Sequence, residues 1–397
     1  MLKDNYIITG IPPTGSSGTG DLLLFLRKKI NLKIAWKPVS FLSAIKIILK
    51  SSYKRNCDIQ EISKSLILYW TKIYPSVKFK NQTNIRAINL YLFHPQSISY
   101  EFVNRMTDLK IIKGIYLLDN SYFCFASYNW LQTQPLKACM MCIQNKNNFL
   151  TYGCKDIFRN EINQYKIFRE NLYNGFLGKI FVQNYSHKKI FSLVSNGKGS
   201  IIAGMLPQSL FNNKNDMPCD KEEFYFKIFN KLKKKYKFIV VCHMSFSGAK
   251  GYFLIEEVSR YLKDICFILP FKKPLKIVEE KKQKNLIYIP CSWESGLKNL
   301  CIEADMVIVP SIWTIQVEGA LLKSCLVAKR LVSISDSIID KRDYLKGIYY
   351  VSTSDGIEQL AKKISNILEL LPNQDILSSS LKKYVSHTTK TLEKLFN

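Results

Sequence analysis

Acidic residues, histidines and long apolar runs are all scarce in this chain of 397 residues. The chain has 31 Asp and Glu against 58 Lys and Arg, a formal net charge of +27. This imbalance excludes an acidic solvating protein and favours nucleic acid, anionic membrane or phosphorylated ligands as partners. No run approaches the ~18 apolar residues of a spanning helix, and we expect no signal peptide. The 11 cysteines follow no regular secreted framework, so we expect a cytoplasmic protein with reduced thiols.

The excess lysines are scattered along the whole chain instead of forming one binding stripe. The exception is the lysine-rich run at residues 231–237, which fits either a solvated helix end or an anionic surface. A non-catalytic protein that binds nucleic acid or an anionic surface would concentrate lysines on one face with interleaved aromatics. The scatter argues against that alternative, so nucleic acid is not expected as a partner.

Short apolar runs alternate with longer helical patterns from end to end. Nearly continuous apolar strands indicate parallel sheets that are covered by helices on both faces. Candidate strands include residues 6–9, 238–242, 265–269 and 306–309. The alternation restarts after a glycine-rich break at residues 196–199.

This pattern predicts an α/β protein with two doubly wound domains. We place the amino-terminal domain at residues 1–195 and the carboxyl-terminal domain at residues 196–375. A last helix, within residues 376–397, is expected to pack back on the domains. Ligands of this architecture bind at the carboxyl ends of the strands, in a cleft that the two domains share.

A glycine-rich loop at residues 10–20 follows the first predicted strand. Glycine lets backbone N–H groups approach an anion, and the positive end of the next helix adds to the attraction. The loop lacks the Gly-Lys-Ser/Thr ending of a P-loop, and prolines at 12 and 13 interrupt a dinucleotide pattern. A tight turn that needs glycine is the alternative.

Two segments of the second half carry candidate chemistry. Lys250 opens a helix just after the strand at 238–242, where a lysine can meet a diphosphate, although an exposed lysine beside a helix-start glycine is the alternative. The second segment is the strand at 306–309, which ends in Pro310-Ser311, and Glu318 opens the following helix. Two carboxylate oxygens can accept both hydroxyls of a ribose, although an acid at a helix start also occurs for the dipole alone.

Together these segments resemble the group 1 (family 4) glycosyltransferases of the GT-B class. The likeness rests on Ala304-Asp305 before an apolar strand, then Pro310-Ser311, Trp313 and Glu318-Gly319-Ala320, with Lys250-Gly251 upstream. The motifs occur in the family's order, from the glycine-rich loop to residue 324. The resemblance implies the GT-B fold, two facing Rossmann-like doubly wound domains with a cleft between them. It also implies transfer of a sugar from a nucleotide-activated donor, with retention at the anomeric carbon.

The resemblance further implies roles for individual residues. Glu318 would hold the nucleotide ribose, and Lys250 would stabilise the leaving diphosphate. Gly15, Gly18 and Thr19 would face the donor phosphates from the amino-terminal loop. Such enzymes need no catalytic metal, since protein cations and helix dipoles offset the charge of the leaving group.

This chain departs from the family pattern at two places. The family has an arginine before the lysine, where this chain has His243, a side chain that supplies less charge when neutral. The family also has a glutamate eight positions before the ribose-binding one, where this chain has Pro310. Thr314 and Gln316 then occupy the region near the sugar.

The amino-terminal domain is expected to supply acceptor contacts and any general base. Asp119 follows a predicted strand where the resembling enzymes often have a His-Asp pair, but here Leu118 replaces the histidine. Asp119 could orient the acceptor hydroxyl or, in an inverting enzyme, take its proton, or it could belong to a simple Asp-Asn-Ser turn. His94, before a proline at the end of another strand, is a second candidate catalyst, against the alternative of a loop histidine.

A cysteine group lies between these elements. Cys124, Cys139, Cys142 and Cys154 include a C-x2-C spacing and could form a structural zinc site. Unpaired thiols in a cysteine-rich chain are the alternative.

The sequence thus predicts a cytoplasmic glycosyltransferase, extending a glycan or a lipid-linked acceptor in surface polysaccharide or glycoconjugate biosynthesis. Peripheral contact with an anionic membrane at its inner face fits the basic composition. A nucleotide-sugar epimerase on the same fold is a competing hypothesis. It needs an acid or base near the sugar, and the chain has only 4 histidines that could serve.

Overall fold

A computed structural model gives the structure of the chain at residues 4–11, 13, 18–30, 32–36, 88–98, 100–108, 110, 112–125, 127–131, 133–144, 162–195, 197–211, 219–274, 283–314, 317–336 and 338–396. The chain divides into two compact units. The first unit is Met1–Ser127, Met141–Pro207 and Thr391–Asn397, and the second is Tyr128–Met140 and Gln208–Lys390. The second unit therefore takes a short segment from the first half of the chain, Tyr128–Met140, which we call the strap.

The first unit is a parallel sheet with the strand order β2-β1-β3-β4-β5-β6. Its strands are β1 Asp4–Thr9, β2 Lys33–Trp36, β3 Ile88–Phe93, β4 Ile112–Tyr116, β5 Lys179–Val182 and β6 Ile201–Ile202. Its helices among the described residues are α1 Gly18–Lys29, α2 Pro95–Ile98, α3 Tyr100–Asp108, α4 Met141–Gln144, α5 Ile162–Tyr173 and α6 Tyr185–Val194. Buried apolar residues fill both faces of the central strands, as expected for a covered parallel sheet.

The second unit is also a six-stranded parallel sheet, with the order β12-β11-β10-β7-β8-β9. Its strands are β7 Phe238–Cys242, β8 Ile265–Leu269, β9 Leu286–Tyr288, β10 Met306–Val309, β11 Leu331–Ile334 and β12 Ile348–Val351. Its helices are α7 Cys219–Lys233, α8 Tyr252–Tyr261, α9 Lys298–Glu303, α10 Gly319–Val327, α11 Ile357–Leu368 and α12 Gln374–Phe396, with short turns at Gln208–Phe211, Trp293–Leu297 and Lys341–Asp343. Counted within the unit, this is the Rossmann order 3-2-1-4-5-6 in reverse.

Helix α12 ends in the first unit, to which residues Thr391–Asn397 belong. The Phe396 ring lies 5.2 Å from that of Tyr91, 5.9 Å from that of Phe93 and 5.4 Å from that of Phe181, measured between centroids. Asn5 Nδ2 also donates to the Phe396 carbonyl at 2.8 Å. The last residues of the chain are thus part of the core of the first unit. The prediction for residues 376–397 was a helix that packs back on the domains, without this contact.

The predicted division after residue 195 differs from the observed units. These divide after Pro207, and the strap belongs to the second unit although it precedes that division in the chain. Strands β7, β8 and β10 have the predicted bounds. The sequence also has a helical pattern at residues 59–73, which predicts a helix there, but this segment lies outside the described residues. Among the described helices, none is both long and apolar enough to cross a lipid bilayer.

Candidate functional site

The centre of the second sheet is its topological switch point. From β7 the chain runs outward through β8 and β9, and then returns to the other side of β7 as β10. The carboxyl ends of β7 and β10 lie side by side at this point, and the crevice outside them is where open α/β sheets bind ligands. His243 follows β7 and Pro310 follows β10, so both predicted donor segments begin at this crevice.

Lys250 and Glu318 meet there. The Lys250 ammonium and the Glu318 carboxylate form an ion pair, and the Ser311 hydroxyl donates to the other carboxylate oxygen. Their side chains are only 16% and 13% exposed, so the pair is shielded from bulk water. Glu318 is the N-cap residue of α10, but its side chain caps no backbone N–H. Ordinary helix capping therefore does not explain this glutamate, and its carboxylate is held in the crevice by a cation.

A glycine allows the two loops to approach closely. Gly251 has φ of +84° in the left-handed region, and a Cβ built on it would lie 2.0 Å from the Pro310 carbonyl oxygen. Beside it, the Ile312 N–H donates to the Ala249 carbonyl at 3.0 Å. The loop after β7 and the loop after β10 thus contact each other backbone to backbone, and this contact sets the positions of Lys250 and Ser311.

Aromatic rings surround the Lys250 ammonium. It lies 4.4 Å from the ring centroid of Trp313 and 5.9 Å from that of Tyr128, and the two rings are 4.9 Å apart. The Trp313 indole N–H is buried without a hydrogen-bond acceptor among the described residues. Buried donors are nearly always paired, so an unpaired donor next to a cation suits an anionic ligand.

The strap is hydrogen-bonded to the loop that follows β10. Asn129 Oδ1 accepts from the Thr314 N–H at 3.1 Å and from the Thr314 hydroxyl at 3.3 Å, and Asn129 Nδ2 donates to the Cys139 carbonyl at 3.1 Å. The Trp130 ring covers Gly248, where any Cβ would lie 2.1 Å from the indole. Sequence reasoning missed the strap, because 185 residues separate Asn129 from Thr314 and no local pattern marks such a contact.

His243 is part of a second cluster in the crevice. Its ring stacks on Trp293 with centroids 5.1 Å apart and 6° between the planes, and its Nδ1 is 2.9 Å from the Ser324 hydroxyl. Burial lowers the pKa of His243 to about 3, and the positive charges of Lys323 and Lys250 act in the same direction. The imidazole is therefore neutral near pH 7.

The remaining predicted donor residues lie in part outside the described structure. Gly18 and Thr19 begin α1, so their N–H groups are among the first four, which have no partner within the helix. This position suits the anion contact predicted for them. Gly15 and Gln316 lie outside the described residues.

In the first unit, His94 and Asp119 form a pair. His94 Nε2 lies 2.9 Å from Asp119 Oδ2, and the Ser121 N–H donates to the other carboxylate oxygen at 2.9 Å. Leu118 stands where the resembling family has a histidine, and a histidine from the end of the neighbouring strand β3 reaches the same aspartate. His94 has φ of +56°, an uncommon backbone conformation that aims its ring at Asp119.

Each member of this pair changes the protonation of the other. Burial is the largest single influence on the pKa of His94 and lowers it. The charge of Asp119, its hydrogen bond and a backbone hydrogen bond together outweigh burial, so the pKa of His94 is raised. Burial likewise favours a neutral Asp119, yet His94 and the hydrogen bonds from Ser121 hold the pKa of that carboxyl below its usual value. The pair is therefore an imidazolium facing a carboxylate at slightly acidic pH.

Further buried polar groups lie near this pair. His187 stacks on Tyr122 with centroids 4.9 Å apart, and its Nε2 has no hydrogen-bond partner among the described residues. Burial lowers the pKa of His187 to about 3, although Asp119 acts to raise it. The Gln183 side chain donates to the Leu118 carbonyl at 3.1 Å, while its Oε1 is buried without a partner in the described structure. Such unsatisfied groups would bind water or the hydroxyls of a ligand.

The ionic part of the His94–Asp119 contact can be measured through its pH dependence. A raised histidine pKa stabilises the fold fully below its ordinary value of 6.5, and that contribution is lost as the pH rises through the raised pKa. A lowered aspartate pKa stabilises above 3.8 and is lost as the pH falls through the lowered pKa. A double-mutant cycle with His94→Asn and Asp119→Asn should give a coupling of about 1–3 kcal/mol in denaturant unfolding at pH 5.5, decreasing towards pH 9. A coupling that does not change with pH would mean a neutral hydrogen bond.

The predicted zinc site has only part of its ligand set in the described structure. Cys124, Cys139 and Cys142 are buried, and Cys154 lies outside the described residues. Within the described ranges, no three His, Cys, Asp or Glu side chains lie close enough together to hold a metal ion. The structural zinc stays a prediction that depends on Cys154.

No protein-family model matches the chain, and no curated protein matches it in sequence. Solved structures do match, over nearly the full length of both chains. Anabaena HepE in complex with UDP aligns with a TM-score of 0.57 at 10% identity, covering 99% of this chain and 98% of that one. An α,α-trehalose-phosphate synthase (UDP-forming) from Burkholderia vietnamiensis aligns at 0.55 and 9% identity, covering 100% and 98%.

A glycosyltransferase from Rickettsia africae aligns with a TM-score of 0.52 at 11% identity, covering 99% of this chain and 97% of that one. The chain thus has the GT-B fold, which confirms the fold class expected from the resemblance. At such low identity these likenesses concern the fold, and the activity of this chain must be argued from its own residues.

Proposed function

We propose that this protein is a glycosyltransferase that moves a hexosyl group from a nucleotide-activated donor to a glycan or lipid-linked acceptor. The observation that carries the proposal is the meeting of Lys250, Ser311 and Glu318 at the switch point of the second sheet. A carboxylate and a cation held together in a shielded crevice provide complementary groups for a ribose diol and a diphosphate. UDP and UDP-glucose are ligands of the structural neighbour HepE, which makes uridine nucleotides the first donors to test.

The donor residues have distinct proposed roles. The Glu318 carboxylate would accept hydrogen bonds from both ribose hydroxyls, and Lys250 would turn from Glu318 to the diphosphate. Thr314, which Asn129 holds in place, and Gln316 would lie near the sugar. Gly15, Gly18 and Thr19 would present backbone N–H groups to the donor phosphates.

In the proposed reaction, the bond between the anomeric carbon and the diphosphate oxygen breaks, and its electron pair stays on that oxygen. The acceptor hydroxyl oxygen forms the new bond to the anomeric carbon and releases its proton. In a retaining transfer the departing diphosphate oxygen receives that proton, and the His94–Asp119 pair would orient the acceptor hydroxyl. We propose retention and independence of a catalytic metal, as the resemblance implies, with Lys250 offsetting the charge on the departing nucleoside diphosphate.

The acceptor and the location are proposed from composition and chemistry. A formal charge of +27 would hold the protein at an anionic membrane surface without a spanning helix, where lipid-linked acceptors are found. We propose that the enzyme acts in the cytoplasm, peripheral to the inner membrane face, in surface polysaccharide or glycoconjugate biosynthesis.

The proposal can be tested by thermal shift of the purified full chain with UDP, GDP, ADP, CMP and their sugar conjugates. A ligand at 100 times its dissociation constant stabilises the folded state by about 2.7 kcal/mol, which gives a clear increase in Tm. We expect one nucleotide family to stabilise the protein selectively, with UDP as the first candidate.

Two other outcomes would contradict the proposal. Stabilisation by polyanions alone, decreasing steeply as salt increases, would indicate a protein that binds anionic surfaces or nucleic acid. Conversion of the bound sugar nucleotide to its epimer, without transfer, would indicate the epimerase.

A further inference from the structure

A lysine that sequence reasoning missed lies in the same crevice. Lys323 belongs to α10, in a stretch whose other residues from Leu321 to Cys325 are also buried, and it is only 8% exposed. Few lysines in folded proteins are buried to this degree. The position of its ammonium group is therefore informative.

Contacts place this ammonium beside the end of β7. Lys323 Nζ lies 5.9 Å from the ring centroid of Trp293, the ring on which His243 stacks. The next residue along α10, Ser324, contacts His243 Nδ1 at 2.9 Å. Lys323 therefore lies by His243, and it lowers the pKa of that imidazole more than Lys250 does.

The charges in this cluster suit a diphosphate. His243 is neutral at working pH, so the crevice has its positive charge on two lysines that both act on the imidazole. If the Ser324 hydroxyl donates to His243 Nδ1, the ring proton is on Nε2, which can donate to a phosphate oxygen. A single Lys250, already paired with Glu318, would leave much of the charge of a diphosphate unbalanced.

We infer that Lys323 is a second phosphate-binding residue, so that a nucleoside diphosphate lies between Lys250 and Lys323 against the ring of His243. The inference rests on the proposed function, because it assumes that the crevice takes a nucleotide. In this arrangement the Lys323 ammonium would bind the diphosphate and would not contact the nucleoside.

The test compares UDP and UMP binding to the full chain by titration calorimetry, with Lys323→Met and Lys323→Gln. Both variants remove the charge, and the methionine keeps most of the buried apolar volume. We expect UDP affinity to fall at least tenfold and UMP affinity by less than threefold in both. Lys263→Met is the matched control and should leave both affinities unchanged. Lys263 is exposed and precedes β8, so it lies at the amino-terminal ends of the strands, whereas the crevice lies at their carboxyl ends.

Equal losses for UDP and UMP, or unchanged UDP affinity, would overturn the inference. The proposed function fails separately: in that case the wild-type chain itself binds neither UDP nor another nucleoside diphosphate. If wild-type binds UDP and Lys250→Met loses it while Lys323→Met does not, only the role of Lys323 is wrong.

Discussion

Replacing Lys250 by methionine is expected to weaken UDP binding about 100-fold, equivalent to about 2.7 kcal/mol. The ammonium lies in a shielded crevice, where hydrogen bonds to charged groups contribute about 1.5–3 kcal/mol. The variant also leaves the Glu318 carboxylate without its cation and close to the ligand's negative charge. Isothermal titration with UDP and UMP measures the effect, and the loss should be larger for UDP.

Glu318→Ala is the contrasting variant. Its carboxylate is proposed to bind the ribose, which UDP and UMP share, so the two affinities should fall by similar factors while the fold stays intact. Wild-type affinity for UDP in either variant, Lys250→Met or Glu318→Ala, would contradict the role proposed for the replaced residue. Circular dichroism of each variant shows whether a loss of binding comes from the site or from unfolding.

Gly251→Ala is expected to be the most destabilising of the single substitutions considered. The left-handed conformation costs an alanine about 1–2 kcal/mol, and its Cβ would lie 2.0 Å from the Pro310 carbonyl oxygen. Because both partners in this contact are backbone, the loops must separate, and we expect a total of about 3 kcal/mol or more. Denaturant unfolding of the full chain measures this loss, and UDP affinity should fall with it, since Lys250 and Ser311 are positioned by the same contact.

Gly197→Ala separates the two contributions. Gly197 also has a positive φ, +81°, but nothing lies within 4 Å of a Cβ built there. This control should lose only the conformational part, about 1–2 kcal/mol. Equal destabilisation of both variants would show that the contact with Pro310 is unimportant.

The elements that the sequence predicted well are those whose pattern is unambiguous. Strands β7, β8 and β10 are continuous apolar runs of the kind found in a doubly covered parallel sheet, and their bounds agree with prediction. Strands β2, β11 and β12 were not predicted. Each is 4 residues long with a polar or charged residue or tyrosines in the run, too little for a period to show.

The site divides in the same way. Lys250 and Glu318 were found because they belong to motifs of local spacing, and the structure brings them together. The His94–Asp119 pair joins the ends of two strands, and sequence spacing alone gave His94 no preference over an ordinary loop histidine. Lys323 did carry a signal, a lone cation in the apolar run of α10, which was read only as a helix that follows Glu318.

The strap has a consequence for how this protein is made and how it can be divided. A fragment that begins at residue 208 would contain all six strands of the second sheet, yet it would lack Asn129 and Trp130. The Thr314 N–H would lose its acceptor, and the surface over Gly248 would be open. During synthesis, residue 129 is made roughly 10–40 s before residue 314, at about 5–20 residues per second. The strap is therefore made well before its partners in the second unit, and we expect a fragment from residue 208 to regain these contacts when it is co-expressed with a peptide that contains residues 128–140.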